Sequence, residues 1–390
     1  MSSRNPSVPT KRADPTVPAD SKIESETAPQ AGLGILVLAG LIIICAGLKT
    51  VSSIVAPLFL VLTLVITVQP LRTILTRRRV PRPLASVIVL LSVYALLVIV
   101  LGSVVWSLTR LVQVLPDYAA KFTDLYNQAL GLLAQYGIAT STITKAASSV
   151  NLSSFTGVLQ TVLNGVTSGL SLLVLMLALV FFLVFDGADI GERILVIRDS
   201  RSHIADALAD FSNSVRKYWI VTTVFGLIVA VIDVVGLLIV GVPLAVTWGV
   251  LAFVTNYIPN VGFVLGIIPP ALIALLDGGV GSMVAVIIIY TASNVIIQTL
   301  VQPRFTGDAV GITGTVAFLS LIFWAFLLGA LGALLAVPAT LLVKSLLVDH
   351  SASSRWLGSL LNAKPPKIEQ RPLPWRRKAP GATAVVTSKR

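Results

Sequence analysis

The stretch TNYIPNVGFVLGIIPP, residues 255–270, decides how the rest of this sequence is interpreted. It lies between long apolar runs, yet it contains two asparagines, two glycines and three prolines. Proline lacks a backbone N–H and clashes with the helical carbonyl four residues earlier, and glycine permits irregular backbone. The stretch therefore predicts an interrupted helix where the surrounding sequence predicts lipid.

The composition is that of a protein whose main solvent is lipid. Of the 390 residues, 55% are hydrophobic and 12% are charged, and the mean hydropathy is +0.92. Such values are typical of a membrane protein with several spans. The single cysteine, Cys45, excludes an intrachain disulfide and a cysteine metal cluster. His203 and His350 lie in polar stretches, so we expect neither a metal nor a cofactor.

The positive charge is concentrated in two places. The formal net charge is +12, and nine of the 29 Lys and Arg residues lie from Arg355 onward. Five more lie in one short arginine loop, at positions 72, 77, 78, 79 and 82. Basic clusters beside apolar spans set orientation and contact anionic headgroups, so we expect membrane lipids as partners and no nucleic acid.

Six apolar runs approach the roughly 20 residues that a membrane-spanning helix needs. They lie at about 31–48, 51–69, 84–108, 165–185, 218–240 and 280–300. Between the third and the fourth run, apolar residues recur at alternating spacings of three and four, which predicts an amphipathic helix. We expect its apolar face to pack on its own chain or on a neighbouring subunit, with a lipid-surface anchor as the alternative.

These features divide the chain into six segments. We predict a disordered N-terminal tail at 1–30, three transmembrane helices at 31–108, an outer amphipathic helical segment at 109–160, a transmembrane helix and cytoplasmic connector at 161–217, a transport core with two hairpins at 218–347 and a basic cytoplasmic tail at 348–390.

Orientation follows from the Lys and Arg residues near the spans. They place the arginine loop and both termini of a multi-pass membrane protein in the cytoplasm. The basic tail ends inside only if 243–276 and 313–347 are re-entrant hairpins that enter from opposite faces. The predicted fold is an all-α polytopic membrane protein with about six full spans plus two re-entrant helical hairpins.

A weak internal symmetry supports the two hairpins. An offset of 70 residues aligns eight identical residues between 241–276 and 311–346, and one pair, Gly262 and Gly332, falls at the two predicted breaks. Inverted repeats with interrupted helices mark the binding sites of transporters. The two hairpins are therefore interpreted as an inverted repeat.

The interrupted backbone needs polar surroundings. Hydrocarbon offers it no hydrogen bonds, so a broken helix is tolerated only where protein or a water-filled cavity surrounds it. Asn256 and Asn260 flank the first break. They either cap two helix ends at the membrane surface or line a path for a polar solute.

The sequence NYIPNVGFVLGIIPP, together with QPRFTGDAVGITGTVAFLSLIFWAFLLGALGALLAVPATLLVKSLL at 302–347, resembles the autoinducer-2 exporter family of bacterial inner-membrane proteins. The resemblance extends over about residues 30–350. It implies a homo-oligomeric permease that exports a small polar solute such as autoinducer-2, or in some relatives exchanges sodium for protons. The matching positions are Asn256, Tyr257, Pro259, Asn260, Gly262, Pro269, Pro303, Arg304, Gly307, Gly311, Trp324, Gly329, Gly332 and Pro338.

One position departs from the family pattern. Close relatives have an acidic residue before the Pro-Arg pair, whereas this chain has Gln302. The departure puts in doubt a cation-binding or coupling role for that position.

Ionisable residues are rare in the transport core. From Tyr218 to Val343 they are Asp233, Asp277, Arg304 and Asp308. A carboxyl group in mid-span is costly, so Asp233 either stays protonated and neutral or carries a coupling proton. The positive-inside rule by itself explains the position of Arg304 on the cytoplasmic side. The alternative is that Arg304 and Asp308 form the cytoplasmic gate region of the transport path.

Other classes of function fit the sequence less well. An intramembrane hydrolase needs a nucleophile with its base, or two facing aspartates. No histidine lies in a predicted span and one aspartate lies in mid-span, so we expect no enzyme. A sodium/proton antiporter of the same family and a channel-like membrane protein are the alternatives to an exporter, and saturable flux separates a carrier from a channel.

Overall fold

The computed structural model describes residues 28–135, 152–187, 190–259, 261–302, 305 and 312–349, and every regular element in these residues is helical. The helices are α1 (Ala28–Thr50), α2 (Ser52–Val68), α3 (Pro70–Arg77), α4 (Arg82–Gln135), α5 (Leu152–Asp186), α6 (Ile190–Ser200), α7 (Ser202–Val240), α8 (Ala245–Thr255), α9 (Gly262–Asn294), α10 (Gly314–Leu334) and α11 (Ala336–Lys344). Two π-helical segments, Val295–Val301 and Ser345–Asp349, continue α9 and α11. The predicted tails lie outside the described residues, apart from their innermost two or three positions.

Six stretches of the described chain are long and apolar enough to cross a membrane. They are Ser52–Arg77, Arg82–Val114, Thr167–Asp186, Ser202–Val240, Gly262–Val301 and Gly314–Leu334. The prediction of an all-α polytopic membrane protein is confirmed. The apolar part of α1, Ile35–Thr50, is shorter, and it belongs to a separate compact unit that ends at Thr50.

Two helices continue through boundaries that the sequence suggested. Helix α4 has 54 residues and no break near position 108, so the outer amphipathic segment begins as an extension of the third span. At 1.5 Å per residue it is about 80 Å long, against about 30 Å of hydrocarbon, so a large part must project out of the bilayer. Helix α7 likewise begins at Ser202, within the predicted connector.

Each region predicted as a hairpin contains a packed pair of helices. Helix α8 contacts α9 across the break at 256–261, and α10 contacts α11. Helix α9 is interrupted at Gly279, which has φ 73°, and α10 is interrupted at Gly329, which has φ 69°. Left-handed backbone favours glycine because it has no Cβ, so these two residues set where the helices change direction.

The role expected for Pro269 and Pro270 is wrong. The sequence suggested that this pair stops or restarts a helix, yet both residues lie inside α9. Prolines are tolerated in membrane helices when neighbouring helices and local adjustments satisfy the freed carbonyls. The break lies at 256–261 instead, where α8 ends and α9 begins.

The two glycines that the 70-residue offset aligned have the same structural role. A Cβ on Gly262 would lie 1.8 Å from the carbonyl oxygen of Thr255, and a Cβ on Gly332 would lie 2.0 Å from that of Trp324. Neither position leaves room for a side chain. The shared close approach supports an equivalence between the two hairpins.

The second unit, which begins at Val51, packs around two apolar clusters. One cluster joins α2, α4, α5, α7 and α11. The other joins α7, α8 and α9 to Tyr118 of the α4 extension. Large apolar side chains such as Ile239 and Phe326 point outward, as lipid-facing residues do.

Candidate functional site

A narrow polar crevice lies where α7, the break after α8 and both ends of α9 meet. The space between its walls is about 200 Å³ when the part open to solvent is included, and the enclosed part has room for about one water molecule. It is lined by Val229, Asp233, Ala252, Thr255, Asn256, Gly262, Phe263, Gly266, Tyr290, Asn294 and Gln298.

Helical spacing brings these side chains together. Val229 and Asp233 are four residues apart on α7, and Tyr290, Asn294 and Gln298 follow the same spacing along α9 and its π-helical continuation. Residues four apart share a helix face. The crevice is therefore a groove between one face of α7 and the polar face of α9, and the broken hairpin forms its third wall.

Asp233 lies at one end of the crevice. Its side chain is 0% exposed, and the Ser293 hydroxyl donates a hydrogen bond to its Oδ1 at 2.7 Å. Within the described residues its second oxygen, Oδ2, has no hydrogen-bond partner, and neither has the hydroxyl of Tyr290. A buried carboxyl with an unsatisfied oxygen is costly in a membrane, and such groups are usually functional.

Three carboxamides form a bridge at the other end of the crevice. The Gln298 Nε2 group donates hydrogen bonds to Asn256 Oδ1 and to Asn294 Oδ1, each at 2.5 Å. Asn294 Nδ2 donates to the carbonyl of Tyr290 at 2.8 Å, and Asn256 Nδ2 donates to the carbonyl of Thr222 at 3.3 Å. These bonds join α7, the hairpin break and the π-helical segment; we call Gln298, Asn256 and Asn294 the carboxamide bridge.

Glycines allow the break to approach α7 and α9 closely. A Cβ on Gly226 would lie 2.4 Å from Asn256 Nδ2, so the asparagine side chain rests directly on the α7 backbone. A Cβ on Gly266 would lie 3.1 Å from Thr255 Oγ1. The small residues of α7 and α9 thus determine where the carboxamide of Asn256 lies.

Tyr257 fixes the break to α7 on the side away from the crevice. Its hydroxyl lies 2.7 Å from Thr223 Oγ1, and its carbonyl accepts a hydrogen bond from Tyr218 at 3.2 Å. Its ring lies 5.2 Å from that of Trp219, a typical distance for an aromatic pair. The interruption is therefore an anchored element rather than a loose loop.

The structure brings some of the predicted site residues together. Asn256, Gly262 and Asp233 line the same crevice, although no pattern in the sequence pairs the aspartate with the break. Tyr257 lies beside it, while Pro259, Pro269 and Gln302 are half-buried and do not line it. Trp324, Gly329, Gly332 and Pro338 lie in the second hairpin. Asn260, Pro303, Arg304, Gly307, Asp308 and Gly311 lie outside the described residues.

Sequence reasoning missed the polar face contributed by α9. Tyr290, Ser293, Asn294 and Gln298 belong to the predicted span 280–300. Their spacings of three and four in an otherwise apolar run were a detectable signal, because polar residues on one face of a span usually point to the protein interior.

Metal binding has no evident site here. No group of three or more His, Cys, Asp or Glu side chains that could hold a metal occurs in the described residues. The crevice instead combines one carboxyl, hydroxyls and carboxamides. Such groups exchange protons or make hydrogen bonds with a small polar solute.

Comparison with known proteins places the chain in a family. The model of the AI-2E family transporters matches residues 35–351. The chain belongs to this transporter family. The match includes both hairpins and every residue that lines the crevice. The expected resemblance is therefore confirmed over the membrane-embedded part of the chain.

Relatives in this family align over nearly their whole length. The AI-2 transport protein TqsA of Escherichia coli (strain K12) is 30% identical over 85% of this chain and 96% of its own length. The protein named "Putative transport protein YhhT" of the same strain is 31% identical over 88% of this chain and 99% of its own length. A transport protein of Haemophilus influenzae, also named as putative, is 29% identical over 83% of this chain and 94% of its own length.

Proposed function

We propose that this chain exports a small polar solute such as autoinducer-2 across the bacterial inner membrane, with Asp233 carrying a coupling proton. The observation that carries the proposal is the crevice in which Asp233 is fully buried and one of its oxygens has no partner among the described residues. A group placed in this way can bind and release a proton as its surroundings change. The name of TqsA supports autoinducer-2 as the first solute to test.

The crevice supports a carrier that changes conformation. It holds about one water molecule, so a larger solute enters only after the walls move apart. The interruptions at Gly279 and Gly329 divide their helices into parts that can move separately. A carrier of this kind has saturable flux, whereas an open channel does not.

The proposed path extends from the crevice toward the cytoplasm. It begins at the hairpin break and the first part of α9, with Asn256, Tyr257, Pro259, Asn260, Gly262 and Pro269, and passes Gln302, Pro303, Arg304 and Asp308. Cytoplasmic termini, a homo-oligomeric state and a lack of enzymatic activity complete the proposal. They follow from the charge distribution, the family resemblance and the lack of a histidine or a second mid-span aspartate in the predicted spans.

Flux in proteoliposomes tests the proposal. Purified protein is reconstituted and assayed with autoinducer-2, sodium and protons, while a dye inside the vesicles reports internal pH. We expect saturable autoinducer-2 flux accompanied by proton movement. Sodium/proton exchange without autoinducer-2 flux would identify an antiporter, and flux that never saturates would identify a channel.

Two matched variants separate coupling from assembly. Asp233→Asn keeps the shape of the side chain but cannot take up and release a proton, so we expect the proton-coupled flux to fall at least about tenfold. Asp277→Asn makes the same chemical change in α9 outside the crevice and should retain the coupling. Equal proton-coupled flux in Asp233→Asn and the unmodified protein would contradict a coupling role for Asp233.

A further inference from the structure

The carboxamide bridge connects elements that must separate if the crevice opens. Gln298 lies on the π-helical segment that continues α9, and Asn256 lies on the hairpin break. Asn256 is also bonded to the Thr222 carbonyl and rests on Gly226, so it stays with α7. A movement of the π-helical segment away from α7 has to break the hydrogen bond between Gln298 and Asn256.

The bridge lies at one end of the groove. Along α7 the order is Thr222 at the bridge, Gly226, Val229 and then Asp233, a rise of about 16 Å at 1.5 Å per residue. Val229 and Asp233 are therefore beyond the bridge for a molecule that enters from the Ser202 end of α7. In the predicted orientation that end faces the cytoplasm.

The backbone around Gln298 is suited to a change of register. Seven residues, Val295–Val301, have π-helical hydrogen bonding, which is rare, is seen mostly as single turns and is frequent at functional sites. A return to α-helical hydrogen bonding would rotate Gln298 relative to Asn294. Because Gln298 donates to both asparagines from a single nitrogen, such a rotation cannot preserve both contacts.

The hydrogen-bonding capacity of Gln298 is only partly used. Within the described chain its Nε2 group has two acceptors, but its Oε1 accepts no hydrogen bond. The contact is thus held by two neutral hydrogen bonds, each of which contributes modestly to stability. A contact of that strength can hold a passage closed and still release on the timescale of transport.

We infer that Gln298 is the residue that closes the crevice at its inner end, through its hydrogen bonds to Asn256 and Asn294. The inference rests on the proposed function only in treating the crevice as part of a transport path. Release of Gln298 gives molecules from the cytoplasmic side access to Val229 and Asp233. Gln298 is a positioning residue in this scheme, because it controls access and does not itself carry the proton.

Cysteine accessibility tests the closure without any cargo. Cys45 is replaced by alanine and Val229→Cys supplies a single thiol behind the bridge, since Val229 lines the crevice and is buried. Inside-out membrane vesicles are treated with a membrane-impermeant maleimide. Gln298→Met preserves the length and approximate volume of the side chain and removes both donors, so labelling should become about tenfold faster, as expected for the loss of two neutral hydrogen bonds.

The control is Ile296→Leu, which changes an exposed residue of the same π-helical segment and should leave the labelling rate unchanged. If Gln298→Met does not accumulate in the membrane, Gln298→Leu provides the same measurement. Equal labelling rates with and without the Gln298 donors would overturn the inference. Faster labelling together with absent autoinducer-2 flux would support the closure and count against the proposed cargo, so the two failures are distinguishable.

Discussion

The hydroxyl of Tyr118 donates a hydrogen bond of 2.5 Å to Oδ2 of Asp277, and this contact joins the extension of α4 to the residue that follows the second arm of the first hairpin. Lys121 forms an ion pair with Oδ1 of the same carboxylate, and its ammonium lies 5.1 Å from the Tyr118 ring centroid. Burial and the nearby carboxylate raise the pKa of Tyr118, so its phenol remains a donor at neutral pH. Gly279, where the helix direction changes, lies two residues beyond Asp277.

The two partners of Asp277 should contribute unequally to stability. Tyr118 is 7% exposed, and a hydrogen bond to a charged acceptor contributes about 1.5–3 kcal/mol. The Lys121 side chain is 50% exposed, and ion pairs of that kind contribute about 1 kcal/mol or less. We expect Tyr118→Phe to lower the thermal unfolding temperature of the detergent-solubilised protein more than Lys121→Ala does. The opposite order would show that the ion pair, rather than the buried phenol, holds the end of the hairpin against α4.

Gly262 and Gly266 provide a matched test of the close approach between α8 and α9. A Cβ at Gly262 would lie 1.8 Å from a backbone carbonyl, which cannot move without displacing the helix. A Cβ at Gly266 would lie 3.1 Å from a side-chain hydroxyl, which can adjust. Gly262→Ala should cost about 3 kcal/mol or more and reduce transport, while Gly266→Ala should cost about 1 kcal/mol. Thermal unfolding and flux at equal membrane abundance measure both effects, and similar behaviour of the two variants would argue against the observed packing.

The opposite orientation of the two hairpins is tested by labelling single cysteines on a Cys45→Ala background. Gly241 and Gly281 flank the first hairpin and are exposed, and a Cβ on either residue meets open space. Gly314 and Leu347 flank the second hairpin and are also exposed. An impermeant maleimide should label the first pair from outside and the second pair from inside. If the two ends of either hairpin label from opposite faces, that hairpin crosses the membrane and is not re-entrant.

A substitution of Arg304 tests the predicted cytoplasmic gate region, which lies outside the described residues. Arg304→Lys keeps the positive charge and loses the planar fork of donors that recognises hydroxyl-rich or anionic groups. We expect its initial transport rate to fall at least about tenfold at matched abundance, the size of effect that one lost charged hydrogen bond produces. An unchanged rate would assign Arg304 to membrane orientation alone.

Much of the architecture could be read from local patterns. Apolar runs predicted as spans identified five of the six candidate membrane helices in the described chain, because each run reflects the length of chain that hydrocarbon can surround. Gly262, Gly329 and Gly332 marked real interruptions, since the absence of a Cβ is a property of the residue itself. Pro269 and Pro270 led to a wrong prediction because the effect of proline on a membrane helix is not local. It depends on whether neighbouring groups satisfy the freed carbonyls.

The sequence alone determined that this is an all-α membrane protein with broken helices and with an acid in mid-span at position 233. It also determined the family of transporters to which the chain belongs. The tertiary structure decided which polar residues meet. Asp233 is 60 positions from Ser293, and Asn256 is 42 positions from Gln298. Helical periodicity shows that each side chain shares a face with its near neighbours, but it carries no information about which two faces pack together. That choice depends on the fit of Gly226, Gly262 and Gly266 against the break, a property of three chain segments at once.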